Sequence, residues 1–369
     1  MEIAIDASRA ASARRTGTEG YAYHLIRALL PLLVEAEHRA ILYFNEAPAG
    51  GLFQAGPKVR LAPIPFPRLW THLRLAWALR QERVDLFFTP AHVVPFPYFG
   101  RAVATVHDLG YRIFPEAHPR EQRLYLEWST RHNAQRSRRV LADSQATKED
   151  LMRFYGIPAE KIRVVYPGVD PALAPVRDKD KLAAVRAKYD LPRSYLLYLG
   201  TLQPRKNLVR LVEAYAKSGV APHLVLAGKA GWLSEPILNT IASLQSPISD
   251  KIHLPGFIAG EDKAALLSGA TALLYPSLYE GFGFPVLEAQ ACGTPVLTAK
   301  NSSLPEVAGA AALLVAATDT GEIAAGIRRI VRDEALRAEL VMLGKENVAR
   351  FSWEKAAGET LAVFEEVLE

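Results

Sequence analysis

The sequence predicts an α/β protein made of two Rossmann-like domains facing a central cleft. Two observations carry this expectation. Short apolar strand-like runs alternate with helical stretches twice over, before and after Tyr166-Pro-Gly-Val-Asp-Pro171. Runs of this kind belong to parallel sheets covered by helices on both faces, and such sheets hold ligands where strand ends meet a crevice. The chain is also long enough, at 369 residues, for two domains that each bury a core.

The first series of strands is Glu2–Ile5, Asp85–Phe88, Ala102–Val106, Val140–Ala142 and Arg163–Val165. The second is Tyr195–Leu199, His223–Ala227, Lys251–Leu254, Ala272–Tyr275, Pro295–Leu297 and Ala311–Val315. The expected domains are residues 1–170 and 171–350. Phe351-Ser-Trp353 then breaks a helical series, and 351–369 is expected to end in one amphipathic helix that crosses back to the first domain.

Composition excludes several classes. Hydrophobic residues make up 50% and charged residues 22%, a globular balance. No apolar run reaches the ~18 residues of a membrane span, and Met1–Asp6 reads as a strand rather than a signal peptide, so a cytoplasmic location is expected. Cys292 is the single cysteine, so no internal disulfide forms; at a helix end it reads as a small buried filler. Residues 1–170 hold 23 Lys and Arg against 17 Asp and Glu, a net +6, while the remainder is at −1. A basic first half suggests an anionic partner such as a membrane surface at the inner face or a lipid phosphate. Nucleic acid is not expected, because no recognition motif accompanies the charge.

Along the chain, Arg14-Arg-Thr-Gly-Thr-Glu-Gly-Tyr-Ala-Tyr23 is a strand-to-helix loop containing Gly17, with Glu19 favoured at a helix start. Pro67–Leu79 aligns Leu69, Leu73, Ala76 and Trp77 on one side, with Arg68, Arg74 and Gln81 more outward. That stripe is expected to pack on its own sheet, with a membrane-surface helix as the alternative. His107 and Asp108 end a strand, where an α/β crevice collects functional groups, and Ser144 follows the next strand. Asp178-Lys-Asp180 is a D-x-D in a charged helix, Val176–Tyr189, and reads as a solvated face rather than a metal site.

In the second half, Gly200-Thr-Leu-Gln-Pro-Arg-Lys-Asn207 puts Arg205 and Lys206 between a strand end and the helix Leu208–Ala216. There Arg can meet a diphosphate bidentately and Lys as a point charge. Pro276–Thr298 reads as a glycine turn, a short helix and a strand. Gly281 and Gly283 allow close backbone approach, and Pro285 suits a first helical position. Backbone N–H groups and the helix dipole make such a turn an anion site. Glu280 and Glu288 flank it; carboxylates beside a phosphate more plausibly accept hydrogen bonds from sugar hydroxyls.

The setting PSLYEGFGFPVLEAQACGTPV around Glu280-x7-Glu288 resembles the retaining nucleotide-sugar glycosyltransferases of family 4, with the two-domain GT-B fold. HDLGYRIFPE resembles the first-domain motif of the branch with bacterial mannosyltransferases of O-antigen type. By that resemblance His107 contacts the donor sugar, Asp108 helps position it or the acceptor, and Ser144 and Gly17 belong to the donor site. The glycine loop of Gly17 would lie beside the acceptor, although Glu19 stands where the family has a second glycine. Gly200 and Thr201 open the diphosphate loop; Thr201 replaces a basic residue of many relatives, so Arg205 would supply what is missing. Gly228, Lys229 and Phe257 match loops that hold the nucleotide base, Phe282 completes the turn of Gly281 and Gly283, and Arg205, Lys206 and Glu280 are expected to be catalytic.

The resemblance implies transfer of a hexose, with GDP-mannose first and UDP-sugars behind, to a glycan or lipid-linked acceptor in polysaccharide synthesis. No metal and no cofactor is expected beyond the nucleotide-sugar donor, since Arg205, Lys206 and the glycine turn can neutralise the leaving diphosphate. Competing readings are a sugar-nucleotide-binding protein without transfer activity and an α-glucan phosphorylase. The latter would need a pyridoxal phosphate lysine and a much longer chain.

Overall fold

Parallel pairing of the apolar runs produces two sheets among the residues described by the computed structural model, 1–12, 15 and 17–369. Arg14, expected in the glycine loop, lies outside the described residues. The chain divides into unit 1, comprising Met1–Leu109, Leu124–Gly168 and Phe351–Glu369, and unit 2, comprising Gly110–Arg123 and Val169–Arg350.

In unit 1 the strands are β1 (Glu2–Asp6), β2 (Arg39–Phe44), β3 (Val59–Pro63), β4 (Leu86–Thr89), β5 (Ala102–Val106), β6 (Arg139–Ala142) and β7 (Ile162–Val164). They pair in parallel in the order β3-β2-β1-β4-β5-β6-β7. In unit 2 they are β8 (Tyr195–Leu199), β9 (His223–Ala227), β10 (Ile252–Gly256), β11 (Ala272–Tyr275), β12 (Val296–Ala299) and β13 (Leu313–Val315), in the order β10-β9-β8-β11-β12-β13. Both are doubly wound sheets. Every residue of β4, β5, β8 and β11 is buried, as continuous apolar strands between two helical layers should be.

Two strands fall outside the runs read from the sequence. β2 follows the helix Gly17–Glu35 with no glycine stop between them; the chain reverses instead through Glu37, whose φ of 61° is unusual for a residue with a side chain. β3 ends on Pro63 and takes a sheet edge, where a missing N–H breaks no ladder.

The helix Trp353–Leu368 belongs to unit 1, where the Trp353 ring stacks on His24 at 5.4 Å and Phe364 meets Phe88 at 5.1 Å. Gly110–Arg123, within the span expected for the first domain, belongs to unit 2 instead. Trp232 Nε1 donates to the Ala117 carbonyl at 2.6 Å, and the His118 ring tilts against Trp232 at 5.6 Å.

One local expectation is corrected. The stripe Leu69, Leu73 and Trp77 does not pack on the sheet: these side chains are 66%, 52% and 56% exposed, and Trp70, Leu75 and Leu79 are buried in their place. The cause is a π-helical opening, Thr71–Leu75, in which the Leu75 N–H bonds the Trp70 carbonyl five residues back. Five residues in that turn move the buried face round relative to a 3.6-residue period. Asp178, Lys179 and Asp180 of the D-x-D are exposed, as a solvated face requires, and Asp178 also caps the helix Lys179–Lys188, accepting from the Asp180 and Lys181 N–H groups. Among the described residues no helix is long and apolar enough to cross a membrane.

Candidate active site

In unit 2 the chain leaves β8 toward β9 and leaves β11 toward β12, on opposite sides, so the order reverses between these two neighbours. Such a switch point opens a crevice at the carboxyl ends of the strands. The loop after β8 enters a tight turn, Pro204–Lys206; the loop after β11 enters the helix Phe284–Ala291. Asn207 ties them together, its side-chain amide donating to the carbonyls of Pro276 and Ala317 at 2.9 and 2.7 Å.

Arg205, Lys206 and Glu280 meet there, each less than 10% exposed. Lys206 Nζ lies 2.7 and 2.8 Å from the two Glu280 oxygens and donates to the Tyr275 hydroxyl at 2.8 Å. Arg205 Nη1 donates to Glu280 Oε2 at 3.1 Å. The Tyr275 ring stacks on Tyr198 at 5.8 Å. Burial alone would raise the Glu280 carboxyl, but the Lys206 and Arg205 charges outweigh it and hold it at about 2. Two cations thus share one carboxylate.

The glycine turn follows Glu280 directly. The Glu280 N–H donates to Ser302 Oγ at 3.0 Å, and Ser303 Oγ sits 2.9 and 2.8 Å from the Glu280 and Phe282 carbonyls. Gly281 and the buried Phe282 lead to Gly283, whose φ is 107° and whose missing Cβ would lie 2.9 Å from Leu304. Pro285 opens the helix behind it. Further along that helix, Glu288 Oε1 accepts from Lys263 Nζ at 2.7 Å. Burial would strip the Lys263 charge, but Glu288 outweighs it and raises the ammonium above its ordinary value. The two glutamates therefore take separate cations. Cys292, at the helix end, is 2% exposed, and burial pushes its thiol up to about 12.

The other unit 2 candidates share this carboxyl edge. The loops after β8 and β9 touch backbone to backbone, because a Cβ on Gly228 would lie 1.9 Å from the Gly200 carbonyl oxygen. Thr201 follows Gly200; one residue on, the Leu202 N–H donates to the Lys229 carbonyl at 2.9 Å. The Lys229 side chain is exposed, and Phe257, just past β10, is 42% exposed.

In unit 1, Val106 of β5 pairs with Ala142 of β6, so the next residues, His107 and Asp143, stand side by side. His107 Nδ1 lies 2.6 Å from Asp143 Oδ2 and Nε2 lies 2.9 Å from the Pro90 carbonyl. Both partners accept, so both ring nitrogens carry protons. Burial opposes that charge, but the Asp143 carboxylate outweighs it and raises the imidazole above its ordinary value. Tyr21, on the helix that Gly17 begins, meets the His107 ring edge-on at 4.8 Å. Asp108 is half-buried beside them. Ser144 is wholly buried and caps the helix Gln145–Tyr155, accepting from the Thr147 N–H at 3.1 Å.

Residues 15–173 match the profile of Glycosyltransferase Family 4, and residues 183–347 that of Glycosyl transferases group 1. The O-antigen chain mannosyltransferase B of Escherichia coli is 31% identical over 302 residues, covering 80% of this chain and 78% of that one. The chain belongs to the family 4 glycosyltransferases. It also matches the serotype-specific mannosyltransferase WbdA of Escherichia coli, 27% identical over 240 residues, which cover 64% of this chain and 29% of that longer one. Among solved structures, sucrose-phosphate synthase from Thermosynechococcus elongatus superposes with a TM-score of 0.78 at 23% identity, covering 99% and 98% of the two chains. HepE from Anabaena, in complex with UDP and glucose, does so at 0.76 and 18%, covering 99% of each. These likenesses establish the GT-B fold, two Rossmann-like lobes.

Three residues of this glycosyltransferase escaped the sequence reading: Asp143 beside His107, Tyr275 beside Lys206, and Lys263 beside Glu288. Asp143 had a signal, since it stands directly after a strand, as His107 does. Lys263 had none, because its helix is distant in sequence from Glu288. Among the described residues no group of three or more His, Cys, Asp or Glu is placed to hold a metal.

Proposed function

We propose that this glycosyltransferase moves a hexose, mannose first, from a nucleotide sugar to a glycan or lipid-linked acceptor in cell-surface polysaccharide synthesis, with retention at the anomeric carbon. The observation that carries the reading is the buried Arg205–Lys206–Glu280 trio at the unit 2 switch point. Both cations stand at the carboxyl edge of the switch point, where an arriving diphosphate can accept from Arg bidentately and from Lys as a point charge. As the glycosidic bond breaks, negative charge grows on that diphosphate. Cations already fixed by Glu280 and Tyr275 stabilise it without reorganising. Glu280 holds the cations and also approaches the transferred sugar, while Glu288, oriented by Lys263, accepts from ribose hydroxyls. The protonated His107 spends both ring N–H groups on Asp143 and Pro90 and so is no base; its contact with the donor sugar is by the ring rather than by a free nitrogen. The acceptor proton then passes to the leaving phosphate on the same face. Mannose is favoured by the likeness to the Escherichia coli O-antigen chain mannosyltransferase; glucose beside UDP in the HepE complex makes UDP-glucose the comparison.

The test is a thermal-shift panel of GDP-, UDP-, ADP- and dTDP-sugars, followed by turnover and anomeric analysis of the product. GDP-mannose should stabilise the protein most, because a ligand that binds only the folded state raises stability with its concentration over its dissociation constant. Turnover should persist in excess EDTA. Stabilisation by no nucleotide sugar, an inverted product, or loss of turnover in EDTA with recovery on adding a divalent metal would each remove part of the reading.

A further inference from the structure

The π-helical opening that turns Leu69, Leu73 and Trp77 outward does not leave them isolated. His72, between them, accepts from the Phe96 N–H through Nδ1 at 3.2 Å and meets the Trp128 ring at 5.8 Å. Trp128 stacks on His132 at 5.5 Å, and His132 stacks on Phe96 at 5.8 Å. These contacts join the Thr71–Leu75 turn, which carries Leu73, to the loop between β4 and β5 and to the unit 1 part of the helix Arg120–Arg136. On this face Phe96 is 63% exposed and Trp128 43%, with Phe99, shortly before β5, 84%. An apolar face of this extent marks a docking surface rather than scattered exposure.

Its chemistry selects the occupant. Guanidinium groups lie over the exposed rings, Arg74 at 5.2 Å from the Trp77 centroid and Arg136 at 5.6 Å from that of Phe99. The unit 1 part of that helix, residues 124–136, carries Arg131 and Arg136 against Glu127. Arginine interleaved with Trp and Phe suits the boundary of an anionic bilayer, where rings enter the headgroup level and cations meet lipid phosphate. We propose that this face of unit 1 docks on an anionic lipid bilayer by burying Leu69, Leu73, Trp77, Phe96 and Phe99 in its interface. Charge alone would give an association that salt reverses; these side chains add a part that salt does not remove. The proposal concerns the surface and stands apart from the transferase reading.

Co-sedimentation with phosphatidylcholine vesicles, with and without phosphatidylglycerol, tests it at low and high salt. Wild-type protein should bind the anionic vesicles and keep a bound fraction in high salt. Leu73→Ser with Trp77→Ser, and separately Phe96→Ser with Phe99→Ser, should weaken that salt-resistant binding about tenfold, in keeping with the loss of buried apolar area. Melting temperature and transfer to a soluble acceptor should be unchanged. Absence of binding to anionic vesicles overturns the proposal, as does wild-type binding by both variants. So does a dimer that either variant converts to monomer while vesicle binding persists, which would make the face a contact between two copies. A wild-type protein that binds anionic vesicles as expected but transfers no sugar would break the proposed function and leave this inference standing.

Discussion

The two sheets share one winding order, yet their switch points are built differently. In unit 2 the charged residues beyond β8 and β11 are sealed: Arg205, Lys206 and Glu280 are 9%, 8% and 5% exposed. In unit 1 the residues beyond β1 and β4 form a looser cluster. There His92 lies 3.8 Å from the buried Asp6 and accepts from Arg9 Nε at 2.6 Å, while Arg9, with a side chain 52% exposed, reaches Glu19 at 3.6 Å. A sealed trio fixes its charges before any ligand arrives, which suits one invariant group such as a diphosphate. The unit 1 cluster is less completely closed, with Arg9 its one side chain more than half exposed. The same topology thus carries a sealed charged site in one unit and a partly open one in the other.

Removing the carboxylate from the sealed site should have the largest effect. Glu280→Ala leaves two buried cations without it and should cost about 3–5 kcal/mol of stability in denaturant titration. The equivalent change in the open cluster, Glu19→Ala, should cost no more than about 1 kcal/mol. Equal losses would erase the contrast. The pH dependence follows from the same group. The folded Glu280 carboxyl titrates at about 2 against an ordinary 4.5, so its contribution is complete above the ordinary value and is lost as pH falls toward 2. That difference amounts to about 3 kcal/mol, and Glu280→Gln should lack this acid-sensitive component.

A smaller effect is expected at His107. Its pKa is raised in the folded protein, so the stabilisation from the Asp143 pair is present below the ordinary value of 6.5 and fades as pH rises through the folded one. Asp143→Asn should lower the pH at which turnover declines on the alkaline side, with a loss of about tenfold near neutrality. An unchanged pH–rate profile would reduce Asp143 to a packing residue. The smallest effect belongs to Glu288→Ala, which should weaken a free nucleoside diphosphate about tenfold and the intact donor alike, as expected for one charged hydrogen-bond acceptor. Equal nucleotide affinity in variant and wild type would remove the ribose assignment.

The sheets were legible because strands buried on both faces must be apolar throughout; Ala102–Val106, Tyr195–Leu199, His223–Ala227 and Ala272–Tyr275 lie where those runs place them. Local rules failed where a non-glycine residue took a turn, as at Glu37, or where one π-turn rotated a helix, as at Thr71–Leu75. The unit 2 candidates were readable as strand-end residues, but their pairings were not. Glu280 and Glu288 look equivalent around the glycine turn. Only the fold assigns Arg205 and Lys206 to one and Lys263 to the other, since these contacts join residues 25 or more apart in sequence.

The central claim, that the sealed trio is a diphosphate site, is tested most directly by calorimetric titration of GDP, GMP and guanosine, and of the matching uridine series, into wild type and Arg205→Ala/Lys206→Ala. Wild type should bind one nucleoside diphosphate at least about tenfold more tightly than its monophosphate, since each charge-assisted hydrogen bond contributes about 1.5–3 kcal/mol. In the double variant the two phosphate forms should bind alike, with a folded protein by circular dichroism. A preference for the diphosphate that survives in the folded double variant would contradict the account.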